Sequence, residues 1–447
     1  MTNQTLYLQT KPSRLFLKAA LPGAISMLVS SLYTIFDSMF VGRFVGTTAF
    51  AALGLAFPLV IINFALADLI GIGVSVPISI FLGRKEDKKA NNYFTCATLM
   101  IIITGLLMGA LLYLSASFFM KLMGAEGELA SLGMHYIRVY ALFSPVTTMT
   151  FALDNFLRIC GKLKTSMVLN IGMSVGTVLL ELLFILVFNW GIIGAALGAT
   201  IAMFLSTAVG LAFFIKGKLQ LKFVKPMFSL ALIAQIFKNG VPAFLTNVAG
   251  RVFSIIMNIL LLSMGGEAAV AVYGVTMTAG GVVEQLLYGI LDSMQPAIGY
   301  NYGAGQKKRV LAIEKCCLSV GASVSVLFAV VFFLFPTPIA VLFLEDISLL
   351  PLATHALRIS AFTYLFRWIG HAIQSFFMAL ERPLPSMSLS LASAFVFPLL
   401  LLAVLSPLKL NGLWLNYAVT AFLTAILAVV LILKLKKNLF LQSKTEE

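Results

Sequence analysis

Two acids stand where an acid is expensive. Asp37 lies in the apolar run 15–41, within Tyr33-Thr34-Ile35-Phe36-Asp37-Ser38-Met39-Phe40, and Glu181 lies in the run 165–188. At the centre of a membrane helix each costs on the order of 2.5–3.5 kcal/mol on insertion scales, so such an acid marks function first. Asp37 falls four residues, and Glu181 seven, from the same end of their runs. At 1.5 Å per residue that is roughly 6 and 10 Å deep. Two carboxyls at one depth can form one site. In a low-dielectric cavity both do not ionise together, so the pair is suited to carry a proton. The competing reading is an interfacial acid that only caps or snorkels. Tyr33 is one helical turn before Asp37 and shares its face, where its hydroxyl can orient the acid or simply pack. Asp68 either joins the site or bonds locally. Asp154 and Asn155 close a run beside Arg158, which favours a local ion pair over contact with a transported molecule.

A second set of polar groups falls in the C-terminal half: Arg251, Glu284, Arg367 and His371. Arg367 and His371 are four apart on one helical face. A buried Arg needs a partner, and Glu284 is the obvious one. The group reads either as a structural ion pair or as a second titrating site, with His371 changing charge near neutrality. His135 and His355 sit at run ends and read as interfacial. No cluster of catalytic groups gathers at one membrane face and there is no Walker loop, so neither an enzyme nor nucleotide-driven work is expected.

The elements that hold these groups are membrane helices. The chain has 447 residues, 60% hydrophobic and 11% charged, with a mean hydropathy of +1.01. Backbone groups in lipid must be satisfied internally, and continuous rather than alternating apolar runs select helices over a barrel. We count twelve runs: 15–41, 52–82, 91–119, 134–157, 165–188, 192–215, 235–264, 269–300, 314–341, 354–379, 386–406 and 412–435. The fold class is an all-α polytopic membrane protein with twelve transmembrane helices in two parallel six-helix repeats. The net charge of +14 is concentrated in short loops, which argues against a nucleic-acid partner. Cys96, Cys160, Cys316 and Cys317 lack metal-ligand spacing and read as small apolar residues. No signal peptide is expected.

Loop charge alternates. Lys11, Arg14 and Lys18, then Arg84, Lys85, Lys88 and Lys89, then Lys162 and Lys164, then Lys216 to Lys225, Lys307 to Arg309, and Lys434, Lys436 and Lys437 fall on one side. The other side holds Arg43, Lys121 and Lys409 with acids at Glu126, Glu128, Glu267, Glu345 and Asp346. The positive-inside rule places both termini in the cytoplasm.

An internal repeat has an offset of about 220 residues. Pro22 pairs with Pro242, Gly46 and Gly54 with Gly266 and Gly274, Gly83 with Gly303, His135 to Arg138 with His355 to Arg358, and Ser166-Met167 with Ser386-Met387. Six helices per copy make the copies parallel. The expected lobes are 1–215 and 239–447, joined by a cytoplasmic linker at 216–238. Such a design suggests alternating access. Asp37 has Met257 as its counterpart, so the acid chemistry belongs to one lobe.

The segment Gln295-Pro296-Ala297-Ile298-Gly299-Tyr300-Asn301-Tyr302-Gly303-Ala304-Gly305 resembles the signature after the eighth helix of the MATE (multidrug and toxic compound extrusion) family. Arg158-Ile159-Cys160-Gly161 is similar to that family's Arg-x-x-Gly turn, and Asn189 to Thr200 to its loop between helices five and six. Finer detail, including Glu284, resembles the bacterial MepA-like branch. The resemblance implies V-shaped 6+6 lobes and export of small lipophilic organic cations driven by H+ or Na+, with H+ favoured, by a monomer in the bacterial inner membrane. Lipid is the only other expected partner, and no cofactor beyond the coupling ion is implied. It places a cation site on Asp37, Na+ included. Thr177 and Glu181 fall where the family carries Asn and Asp, and Thr200 where a helix-six Thr stands. The lost Asn weakens the case for Na+. The 19 Met and 37 Phe suit adaptable binding of flat cations. A lipid-linked or polar-metabolite exporter is the alternative, favoured by Arg251 and Arg367.

Overall fold

The structure, a computed structural model, describes residues 5–344 and 346–441. Glu345 lies outside the described residues, as do the side chains of Lys436 and Lys437. Among the described residues there is no strand. A π turn, Thr5–Gln9, precedes α1 (Pro12–Phe40), which runs on through a second π turn, Val41–Val45. Next come α2 (Thr47–Gly83), α3 (Asp87–Leu122), α4 (Gly127–Leu142), α5 (Ser144–Ile159), α6 (Leu163–Leu182) with the π turn Leu183–Val187, and α7 (Gly191–Ile215). The second half holds α8 (Leu230–Leu291), α9 (Gln295–Gly303), α10 (Lys307–Leu334), α11 (Pro336–Val341), α12 (Leu350–Ala379), α13 (Pro383–Leu391), α14 (Phe397–Leu405) and α15 (Lys409–Leu441).

Nine stretches among the described residues are long and apolar enough to cross a membrane. Two of them are double. Leu230–Gly303 turns at Gly266, whose φ of 65° is open to glycine and costly for other residues, and Pro383–Leu435 turns at Lys409 (φ 50°). The joined pair α4 and α5 completes twelve crossings. The run expected at 134–157 is therefore two helices. Pro145 stands in the first turn of α5, where it has no N–H to extend α4, and the break falls at Phe143.

The stretch read as a linker, 216–238, is helical from Leu230. The part before it is strapped along the first turns of α3. The Lys222 amide donates to Asn91 Oδ1 (2.8 Å), the Val224 amide to Thr95 Oγ1 (3.1 Å) and the Met227 amide to Asn92 Oδ1 (2.8 Å). Asn92 Nδ2 returns a bond to the Met227 carbonyl at 3.0 Å. These side chains satisfy backbone groups that have no ladder of their own.

The chain forms two compact units. One contains the residues up to Phe244 and Gly299–Lys307, and the other Leu245–Ile298 and the residues from Lys308 onward. In the first, α2 packs on α3, α4 and α5, and α6 on α1 and α7. The repeat-paired Gly83 and Gly303 both belong to it. A β-carbon on Gly83 would stand 2.2 Å from the Tyr300 carbonyl oxygen, and one on Gly303 2.2 Å from that of Ile80, so the helix ends touch backbone to backbone. In the second unit, α12 packs along α15 and α11 against α12. Leu107, Leu114, Leu179 and Ile215 are exposed, as side chains facing lipid must be.

Candidate functional site

Asp37 reaches its place because α1 packs along α6. Glu181 faces it from the last turn of α6, near enough for each carboxyl to feel the other. Glu181 is completely buried and Asp37 is 7% exposed. Neither Glu181 oxygen has a hydrogen-bond partner among the described residues. Ionised carboxylates only accept, so a hydrogen bond between the two acids forms only when one of them holds a proton. With the π turns included, Asp37 lies eight residues before Val45 and Glu181 six before Val187. The depths are about 12 and 9 Å. The two acids share one level, as their positions in the runs predict.

Small residues on α7 allow the approach. A β-carbon on Gly198 would lie 2.7 Å from both the backbone N and Cγ of Glu181, and one on Gly194 would lie 3.0 Å from Phe184 Cβ. The α6–α7 crossing is therefore tightest at the acid. Thr177, one turn before Glu181, and Thr200, two residues after Gly198, are 1% and 0% exposed. Their hydroxyls donate to the Met173 carbonyl (3.0 Å) and the Ala196 carbonyl (2.8 Å) of their own helices. Each keeps lone pairs for a proton donor or a hard cation.

Three tyrosines close the site. Tyr33, Tyr136 and Tyr140 all lie near enough to feel the Asp37 charge, and the Tyr136 and Tyr140 rings are 5.0 Å apart and hydrogen-bonded. Tyr33 lies near Asp37, one turn before it on α1. Tyr136 and Tyr140 escaped the sequence reading, although two tyrosines four apart on one helix were a usable signal.

Asp68 does not join the acids. It sits 21 residues into α2, is half-buried, and has no hydrogen bond or ion pair among the described residues. Local backbone bonding, its other expected role, is also absent. Asn155 turns back on its own helix, donating to the Phe151 carbonyl at 3.3 Å. Its neighbour Asp154 forms the expected pair with Arg158 at 2.9 Å and accepts from Ser166 and Asn170. At the same end, the buried Tyr7 hydroxyl donates to the Arg158 carbonyl and its ring lies 5.4 Å from that of Tyr300. Cys160, in the turn after α5, is buried, and burial pushes its thiol up to about 12.

The second unit has different chemistry. Met257 is fully buried among Phe253, Leu261, Tyr273 and Trp414, so no acid pair is duplicated. Glu284 accepts from Arg367 at 3.1 Å, the expected pair. The remaining two basic groups do not join that pair. His371 takes Asp292 (3.1 Å), a residue the sequence reading did not name, because Asp292, just past the end of α8, lies two turns beyond Glu284 and meets α12 one turn beyond Arg367. Gln295 Nε2 donates to Asp292 Oδ1 (3.2 Å) and Ser375 Oγ (2.9 Å), and the Tyr288 ring lies 4.2 Å from the imidazole. Arg251 has no ion pair among the described residues. It feels the Glu284 charge from a distance and remains exposed. His355 bonds Asn411 Oδ1 (2.9 Å) at an exposed position. No group of three or more metal-ligating side chains occurs among the described residues.

The MatE family model matches this chain twice, over residues 22–183 and 242–404, which are the two repeats. The multidrug export protein MepA of Staphylococcus aureus strain NCTC 8325 is 28% identical over 375 residues, covering 82% of each chain. The MepA of Staphylococcus saprophyticus is 26% identical, covering 83% of this chain and 82% of the relative. Among solved structures, a multidrug resistance MATE family transporter of the MOP superfamily in an outward-facing conformation superposes with a TM-score of 0.90, at 21% identity and over 97% of this chain and 98% of that one. A MOP superfamily transporter from Pyrococcus furiosus, titled for the reverse polarity of its binding pocket, aligns with the same score and coverage. Two repeats of the family model, MepA relatives along most of the chain and a MATE fold over nearly all of it lead to one assignment: the chain belongs to the MATE family, as a MepA-like membrane transporter.

Proposed function

We propose that this protein exports small lipophilic organic cations across the bacterial cytoplasmic membrane in exchange for protons. The observation that carries the proposal is the buried pair Asp37 and Glu181, two acids whose like charges favour holding one proton between them. The MepA relatives, named as multidrug export proteins, support export of drugs. When the shared proton leaves, two carboxylates face each other. Like charges 4 Å apart repel by on the order of 4 kcal/mol at an effective dielectric of 20. That is ample to favour a different packing of α1 on α6. Protonation restores the present packing. Tyr33, Tyr136 and Tyr140 hold the acids in register, and Gly198 lets α7 seal the site from lipid. The basic loop ends and both chain ends lie in the cytoplasm by loop charge. A Na+ ion could use the same oxygens, which are hard donors. The proton is preferred because the acids already face each other, and because Thr177 offers a hydroxyl where an amide oxygen would serve Na+ better.

The test is ethidium transport by proteoliposomes under an imposed H+ or Na+ gradient, for wild type and Asp37→Asn. The expected result is H+-driven transport that Asp37→Asn abolishes. Transport that follows Na+, or an unchanged pH dependence in Asp37→Asn, rules the reading out. A second reading, export of an amphiphilic or anionic metabolite, is favoured by Arg251, which stands exposed in a membrane span and without an ion pair among the described residues. Flipping of a labelled lipid without dye efflux would select it.

A further inference from the structure

The buried face of α6 is polar from end to end. Ser166, Asn170, Ser174, Thr177 and Glu181 follow one another at spacings of four, four, three and four. That is one helical face. Four of the five are buried and Asn170 is half-buried, whereas Val168, Val175 and Leu179 on the opposite face are exposed. A membrane helix with five polar groups on its inner face needs a reason, because each must be satisfied without bulk water.

Packing glue between helices is the simplest reason, and two observations exceed it. The Ser174 hydroxyl is 2% exposed and has no hydrogen-bond partner among the described residues. A buried hydroxyl in that position calls for a water molecule. At the far end of the stripe, Thr150, Asp154, Ser166, Asn170, Ser206 and Thr207 line a space of about 10 Å³, room for one water. Asp154 anchors this end, accepting from Asn170 at 2.8 Å and from Arg158 at 2.9 Å. From Glu181 to Asn170 is eleven residues, or about 16 Å along the helix axis.

The second repeat provides an internal control. The positions that repeat Ser166 and Asn170 are Ser386 and Ser390, but those that repeat Ser174, Thr177 and Glu181 are Ala394, Phe397 and Leu401. Asp154 and Arg158 become Gln374 and Met378. The half without the acid pair has also lost the polar stripe that leads to it. Helix packing alone would not tie the two losses together.

We infer that the inner face of α6 is a hydrated proton conduit joining the Asp37–Glu181 pair to the Asp154 end of the first unit. Water at Ser174 and in the Asp154 space carries the proton between them. Each water accepts one proton and passes one on, so nothing along the stripe changes charge after a passage. The conduit separates the proton route from the path of the organic cation. It rests on the proton-coupled reading above, with Ser174 as a relay and Asp154 as its terminus.

The test uses full-length protein in proteoliposomes loaded with a pH-indicating dye, with ethidium as the exported cation. Ser174→Val should slow ethidium-driven proton movement by about tenfold, leave ethidium binding within about twofold of wild type, and be rescued by Ser174→Thr. Ser174→Ala, which removes the hydroxyl without adding bulk, should show the same slowing and guards against misfolding. Ala394→Val at the repeat-related position should move protons at the wild-type rate. If wild type is proton-driven and the Ser174 variants move protons as fast as it does, the conduit is wrong and proton coupling stands. Equal slowing in Ala394→Val would assign the effect to packing and also overturn the conduit. If wild type responds only to Na+, both readings fall together.

Discussion

Gly198 lies against Glu181 so closely that a β-carbon on the glycine would stand 2.7 Å from both the glutamate backbone nitrogen and its Cγ. Real β-carbons do not approach that near. The contact therefore couples a residue with no side chain to the most deeply buried acid among the described residues. Gly198→Val must push α7 away from α6 or rotate Glu181 off Asp37. We expect the variant to reach the membrane, to lose about 1–3 kcal/mol of stability from overpacking, and to lose most proton-coupled ethidium transport. Thermal unfolding in detergent and transport in proteoliposomes check the two parts separately.

Met257 and Asp37 are repeat partners with opposite surroundings. Met257 is enclosed by apolar side chains, so Met257→Leu should cost under about 1.5 kcal/mol. Met257→Asp would bury an acid with no Glu181 to share its proton. It should cost about 2–4 kcal/mol and should create no second site. Unfolding temperatures of the two variants decide this.

Arg367 and Glu284 meet at 3.1 Å, but their side chains are 37% and 27% exposed. Partial solvation weakens such a pair. A double-mutant cycle with Arg367→Gln and Glu284→Gln should give a coupling of about 1 kcal/mol or less. A coupling several times larger would mean that the pair is sealed from water.

The Tyr7 hydroxyl donates to the Arg158 carbonyl from a buried position. Tyr7→Phe removes one of that carbonyl's donors, the Gly161 amide remaining at 2.8 Å, and should cost about 1 kcal/mol or less. Tyr7→Ala also removes the ring packed on Tyr300 and should cost about 3–5 kcal/mol. Both can be read from unfolding temperatures.

Cys160 gives a pH prediction. Its thiol ionises at about 12 in the folded chain and near 9.0 when free of it. Between those values the folded state holds a proton that the unfolded state has lost. Stability conferred by the neutral thiol is complete below pH 9 and declines as pH rises from 9 towards 12. A thiolate-directed maleimide at pH 8 should spare Cys160 until the protein is unfolded. Labelling of native protein, followed by mass spectrometry of the Cys160 peptide, would contradict this.

Much of the architecture was legible in the residues. Apolar runs mark the crossings because lipid forces each backbone group into a helix. The offset of about 220 residues marks parallel halves, because six crossings return the chain to its starting side. The depth of Asp37 and Glu181 was legible too, since rise per residue converts position into height. The break at Phe143 and the early start of α8 at Leu230 were less plain. Both depend on how a run's ends are packed and capped, not on its average hydropathy.

Partnership was the hidden part. The Glu284–Arg367 pair was expected, but nothing in the spacing of Arg367 and His371 tells His371 to take Asp292 or leaves Arg251 apart. Those choices depend on how α8 faces α12, a rotation set by the whole packed unit. Tyr136 and Tyr140 enter the acid site for the same reason. The residues alone settled that an acid lies in each of two helices, at one depth, in one repeat and not the other. Only the packing of α1 on α6, with α7 close at Gly198, decided that the two acids face each other, because facing depends on helix azimuth and the order of residues along a chain carries that only through the fold.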